Sequence, residues 1–222
     1  MRKALDFYTQ LAKNNNKPWF DEHKDDYKSA KATLDALALD FMHGVEEFDP
    51  RVSGLGIKDI TYRIYRDLRF SHDKSPYKTW YGAYVCPKGK KSGMAGYYIH
   101  FEPAANTYFI CGGLYNPTKE VLKSVREGIM LEGDSFAEAL SLCEDFSLPW
   151  NEALKRIPAG YDENDAHSEL YRLRSYTLIK PMKKADVLKK DFLQKALADL
   201  RRTYEFNEIL NKCFDYAMEN PS

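Results

Sequence analysis

Trp80 to Gly113 reads W-Y-G-A-Y-V-C-P-K-G-K-K-S-G-M-A-G-Y-Y-I-H-F-E-P-A-A-N-T-Y-F-I-C-G-G, and this stretch decides the fold. Three runs rich in aromatic and aliphatic residues, 80–86, 94–102 and 107–113, are predicted as strands. The turn-rich segments 87–93 and 103–106 separate them, and connections this short join antiparallel neighbours. In the middle run alternation puts Ala95, Tyr97, Ile99 and Phe101 on one face. Gly96, Tyr98, His100 and Glu102 fall on the other. The sheet therefore has one apolar face and one face of Tyr, His, Glu and Gly.

Immediately upstream, Tyr62 to Thr79 reads Y-R-I-Y-R-D-L-R-F-S-H-D-K-S-P-Y-K-T and holds Arg63, Arg66, Arg69, Lys74 and Lys78 against Asp67 and Asp73. Its first half alternates as a strand does, with Tyr62, Ile64, Arg66, Leu68 and Phe70 facing one way. Its second half, 71–76, is turn chemistry around His72, Asp73 and Lys74. A strand delivering arginines to a polar loop suits an anion site, because a guanidinium presents a planar fork matched to phosphate or carboxylate.

Farther out, helical periodicity takes over on both sides. Leu5 to Lys13 is predicted as a short helix, and Asn14-Asn15-Asn16 breaks it. A second helix is expected from Pro18 to Glu46, with Trp19, Phe20, Tyr27, Leu34, Phe41 and Val45 inward. After the sheet, Asn116-Pro117-Thr118 opens a helix through Val121, Val125 and Ile129, and a further helix is expected at 136–146. The segment 163–173 reads as helical, 175–179 as one more strand, and 184–200 and 202–218 as closing helices. Helices, then strands, then helices is the α+β pattern. The fold expected is one α+β domain with an antiparallel sheet of four to five strands. Its helices at 1–48 and 116–222 pack a sheet at 57–114.

The 222 residues suffice to bury a sizeable core. Lys+Arg 33 against Asp+Glu 33 argues against a protein that coats nucleic acid through bulk charge. Charge is nonetheless uneven: 131–169 carries ten acids against Lys155 and Arg156, while 182–202 carries seven cations against three acids. Internal neutralisation of the basic stretches is thus an alternative use for them. Four cysteines lie far apart with no C-x-x-C pair, which argues against a disulfide framework or a zinc site. No apolar leader opens the chain and no run reaches membrane-spanning length, so a cytoplasmic protein with no membrane partner is expected.

The chain resembles the domain of unknown function 2461 family. Asn14-Asn15 with Trp19-Phe20 and R-I-Y-R-D-L-R-F-S-H-D-K-S-P-Y-K at 63–78 carry the likeness, with Gly96-Tyr97-Tyr98, Glu102-Pro103, Gly112-Gly113 and Pro117. Leu154-Lys155-Arg156, Pro158, Gly160-Tyr161-Asp162 and the 170–173 segment extend it across nearly the whole chain. Ala159, where the family pattern has a small or basic residue, is a minor departure. The resemblance implies a single domain of this length and brings no activity, substrate, cofactor or catalytic residue with it.

The function expected from the residues is binding of a small anionic ligand, phosphate- or carboxylate-bearing, through Arg63, Arg66, Arg69, Lys74 and Lys78. For catalysis the candidates are His72 with Asp73 and His100 with Glu102, since a histidine beside a carboxylate titrates near neutrality. No metal is assigned, although His72 and His100 brought together would make one possible. P-loop, G-x-S-x-G, H-E-x-x-H and dinucleotide fingerprints are absent. Two other readings stand beside these: single-stranded nucleic acid held on the interleaved aromatics, and an interaction module whose patch is the aromatic hairpin face.

Overall fold

A computed structural model describes residues 1–69 and 71–220. The three runs of the 80–113 stretch form β1 (Tyr81–Val85), β2 (Gly96–Glu102) and β3 (Thr107–Leu114), and β4 (Tyr176–Pro181) completes a four-stranded antiparallel sheet in the order β1-β2-β3-β4. Asn106 turns the β2–β3 connection in the left-handed region, φ +51°, which an asparagine tolerates. The register sets Tyr84 opposite Tyr98 and His100 opposite Phe109. It also sets Cys111 opposite Ile179. At the outer edge of β4, Ser147 exchanges two backbone hydrogen bonds of 2.9 Å with Ile179 and covers part of that edge.

Among the described residues the main helices pack on one face of this sheet. Tyr81, Ala83, Val85, Tyr97, Ile99, Phe101 and Ile110 point into the core. They meet α1 (Arg2–Lys13) and α3 (Lys24–Glu46) on the β1–β2 side, with the short α4 (Ile57–Ile60) against β1, and α7 (Phe192–Arg201) and α8 (Tyr204–Glu219) on the β3 side. α1 and α3 bury Leu5, Tyr8 and Leu11, and Leu34, Ala38, Phe41 and Val45, at helical spacing. α5 (Lys119–Ser141) lies outside α8 as a second layer, with the Ser124 hydroxyl donating to the Cys213 carbonyl at 2.8 Å. Buried side-chain amides tie α8 to the start of β2. Asn211 exchanges two hydrogen bonds with the Ala95 backbone, at 2.8 and 3.2 Å, and Asn207 donates to the Gly96 carbonyl.

Several expected elements differ, each for a local reason. Residues 62–69 form no strand. Arg66 and Lys78 instead place their amide N–H groups on the carbonyls of Pro76 and Ile64, so the segment pairs with its own return. Phe70, expected on the same strand face, lies outside the described residues. The helix expected from Pro18 to Glu46 divides into α2 (Lys17–Glu22) and α3, because His23 leaves helical geometry. Its ring stacks on Trp19 at 4.0 Å, with Nδ1 2.9 Å from the Trp19 carbonyl oxygen. At 163–173 only a short 3-10 turn forms, at Ser168–Arg172, and 184–200 divides into α6 (Lys184–Val187) and α7. The two helices expected after Pro117 both form and meet at a kink where Glu132 leaves helical geometry, but the second ends at Ser141, short of the expected 146. Among the described residues no helix is long and apolar enough to cross a membrane.

Candidate functional site

The face of the sheet turned away from the helices carries Gly82 and Tyr84 from β1, Gly96, Tyr98 and His100 from β2, and Phe109 and Cys111 from β3. It forms the floor of a hollow of about 500 Å³. Trp80, Tyr62 and Tyr115 enclose it at the sides, and Lys90 is the one lysine or arginine among the described lining residues. That volume falls within the roughly 300–1,000 Å³ usual for small-molecule sites, and mostly apolar walls with few polar groups are their usual chemistry. Other hollows of about 430 Å³, near Arg202 and Tyr204, and about 500 Å³, near Asn151 and Arg174, have no histidine in their linings.

At the floor, three alternate residues of β2 line up. The Tyr98 hydroxyl lies 2.9 Å from His100 Nδ1, and His100 Nε2 lies 3.7 Å from Glu102 Oε2. The Thr79 hydroxyl donates to the other Glu102 oxygen at 3.2 Å. The His100 ring stacks on Phe109 with centroids 4.5 Å apart, and tilts against Trp80 at 5.5 Å. Burial lowers the His100 pKa from its ordinary value of 6.5, and the Glu102 carboxylate opposes that shift without overcoming it. Burial also pushes the Tyr98 hydroxyl and the Cys111 thiol well up, so both stand uncharged in the wall. Gly82 makes the line possible: a Cβ there would meet the Tyr98 hydroxyl at 2.2 Å.

The five cations of the 62–79 stretch divide between two places. The Arg66 guanidinium binds Asp73, the Ser75 carbonyl and the Ser71 hydroxyl, and so holds the loop on itself. Arg69 grips Asp67 through two nitrogens, at 3.0 and 2.6 Å, and Lys74 donates to the Leu68 carbonyl. Hydrogen bonds from Arg69 hold the Asp67 carboxyl down to about 2, and bonds from Ser75, then Arg66, do the same for Asp73. The carboxylate partners Asp73 and Asp67 both come from the 62–79 stretch itself.

Arg63 and Lys78 lie elsewhere, in a crevice of about 10 Å³ that shares Tyr62 and Trp80 with the large hollow. That crevice has room for about one water molecule. The Lys78 amine donates to the carbonyls of Arg63 and Tyr65 and lies 5.4 Å from the Trp80 ring centroid. Lys78 and Lys90 both approach the Tyr62 ring, at 6.0 and 5.9 Å. Burial lowers the pKa of each, with the like charge of Arg63 adding to the effect at Lys78.

His72 is exposed and outside the lining, so His72-Asp73 and His100-Glu102 belong to different parts of the surface. Among the described residues no three His, Cys, Asp or Glu side chains converge as metal ligands would. Of the aromatics interleaved with the cations, Tyr77 is buried against Phe20 and Tyr81 is in the core, while Tyr65 is exposed. The asparagine run takes up three separate tasks. Asn14 ends α1, Asn15 exchanges two hydrogen bonds with the Tyr77 backbone, and Asn16 caps α2.

Sequence reasoning did not single out Lys90, Phe109 or Cys111 as site residues, and took Trp80 only as one of the aromatics interleaved with the cations. The signal that could have found Phe109 and Cys111 is the hairpin register, which places them beside His100 and Tyr98; Lys90, in the turn at 87–93, is in no register. No curated protein and no solved structure matches the chain. A family model does, the one described as conserved hypothetical protein (DUF2461), over residues 3–208, and the chain belongs to that family.

Proposed function

We propose that this protein binds a small organic ligand with a flat apolar body and one acidic group, the body lying on the open sheet face and the acid at Lys90. The observation that carries the reading is the pairing of an aromatic hollow with lysine amines whose pKa burial lowers, at Lys90 in spite of the opposing charge of Asp59. Lys90 and Lys78 each have a lowered pKa; the Lys78 amine donates to the carbonyls of Arg63 and Tyr65 and the Lys90 amine to that of Lys58. A desolvated ammonium with only carbonyl partners gains from an arriving anion, which restores the interaction that burial removed. Arg63 adds positive potential beside Lys78. Arg66, Arg69 and Lys74 contribute by shaping the loop that carries Tyr62 and Lys78. A cationic ligand fits less well, since two amines already approach the Tyr62 ring.

Benzoate and its neutral analogue benzamide separate the two halves of the proposal. Isothermal titration is expected to show benzoate binding more tightly than benzamide. Lys90→Met should weaken benzoate roughly tenfold or more, the worth of one charge-assisted hydrogen bond. Lys78→Met should weaken it less, and neither variant should change benzamide binding. Equal responses of the two probes to the lysine variants would count against an anion site, and no binding of either would remove the hollow as a ligand site.

A further inference from the structure

We infer that Tyr98, His100 and Glu102 form a proton relay that takes a proton from the bound ligand, which makes the hollow an acid–base site as well as a binding site. The inference rests on the ligand reading above and adds the chemistry of its floor. The geometry is that of an activated hydroxyl: acidic group, imidazole, then an orienting carboxylate. Tyr98 and His100 face the hollow, whereas Glu102 lies at the end of β2 outside the lining, half-buried and fixed by Thr79. The tautomer that satisfies both contacts has the Tyr98 O–H donating to Nδ1 and the ring proton on Nε2, directed at Glu102.

The step balances within the site. An acidic O–H of the ligand gives its proton to the Tyr98 oxygen as the Tyr98 proton passes to His100 Nδ1. The ligand oxygen is left as the anion and the imidazole becomes imidazolium, facing the Glu102 carboxylate. At 3.7 Å that carboxylate is beyond a good hydrogen bond in the resting site and within ion-pair reach once the ring is charged. The other titratable groups acting on Tyr98 are Tyr62, Cys111 and Tyr115, and burial holds the first two in their neutral forms. Burial keeps His100 neutral beforehand, so it is available to accept. Stacking between Phe109 and Trp80 holds the ring in the plane the transfer needs.

The probe is 4-nitrophenol, a flat aromatic acid whose neutral and anionic forms absorb at different wavelengths. Titration calorimetry reports its binding and the absorbance spectrum reports its protonation, so the two readings are tested apart. At about pH 7, above the ordinary histidine value of about 6.5, the imidazole is neutral and able to accept, and wild type should bind the probe and raise its anionic fraction above that of free probe in the same buffer. The binding heat should not depend on the buffer's ionisation enthalpy, because the proton stays in the protein. His100→Gln should still bind the probe, now with the neutral spectrum. Glu102→Gln, at a half-buried position, should lower the anion-to-neutral ratio about tenfold, as removal of a neighbouring carboxylate does. A neutral spectrum on wild type, or an anionic one on both variants, would overturn the relay and leave the binding site standing. Absence of binding to wild type would overturn both.

Discussion

His100 is buried beside a carboxylate, and the two influences on its imidazole oppose each other. Desolvation disfavours the imidazolium and Glu102 favours it, with desolvation the larger. Its pKa in the fold is therefore below the ordinary 6.5 of the unfolded chain. Between those two values the unfolded chain binds more protons, so stability rises with pH across that window. On acidification the loss begins as pH falls past about 6.5 and is complete below the folded value. Denaturant midpoints measured from neutral pH down to that range should fall for wild type and stay flatter for His100→Gln. Glu102→Gln, which removes the opposing charge, should fall more steeply than wild type. Parallel curves for all three would mean the ring is as well hydrated as in the unfolded chain. The sequence made the i, i+2 relation of His100 and Glu102 readable, because strand alternation alone puts them on one face. It did not reveal Trp80 and Phe109 as the ring's walls, since those contacts depend on register between strands. Nor did it show how Arg66 would be used: its carboxylate, Asp73, comes within reach only when the loop turns back.

The 62–79 segment shows why local alternation was insufficient to make a strand. β1 is an edge strand, and beyond it the chain makes only the isolated bridge from Thr61 to Ala83. Past that point the backbone donors of Arg66 and Lys78 are satisfied at 3.0 and 2.7 Å by Pro76 and Ile64. Pro76 has no N–H of its own to give to a ladder. The element therefore depends on side chains, and Arg66 is the half-buried one with three partners inside the loop. Arg66→Met keeps a comparable apolar stem and removes all three. The expected result is faster amide exchange at Arg66 and Lys78, with new protease cuts between 67 and 75. Global stability should change by about 1 kcal/mol, as for a partly exposed hydrogen-bonded group. Unchanged exchange and cleavage would show that the backbone pairing suffices. The other elements were readable to the extent that their periods were uninterrupted. β1 to β4 and the buried faces of α1, α3 and α8 follow the pattern, whereas the break at His23 is set by one ring bonding a carbonyl, which no period records.

At the scale of the whole molecule, none of the three stretches 1–48, 57–114 and 116–222 has a complete core of its own. The N-terminal helices and the C-terminal α7 and α8 cover neighbouring parts of one sheet face. Buried polar groups cross all three. Asp49, 1% exposed, receives hydrogen bonds of 2.8 and 2.9 Å from Arg51 and one of 3.1 Å from the Tyr97 hydroxyl, and Arg51 also pairs with Glu208 of α8. Asn15 clasps Tyr77, and Asn211 clasps Ala95. Removing any one stretch would expose apolar surface and orphan these groups together, so the chain is expected to unfold as one cooperative unit. Calorimetry should give a single transition whose measured and van't Hoff enthalpies agree, at about 150 kcal/mol near 60 °C for a chain of this length. Asp49→Asn removes the carboxylate shared by Arg51 and the Tyr97 hydroxyl while Arg51 keeps Glu208, and should lower stability by about 2 kcal/mol, moving the midpoint down by roughly 4–8 °C without splitting the transition. Two resolved transitions in wild type, or in Asp49→Asn alone, would instead assign the helices and the sheet to separately stable units joined by that polar network.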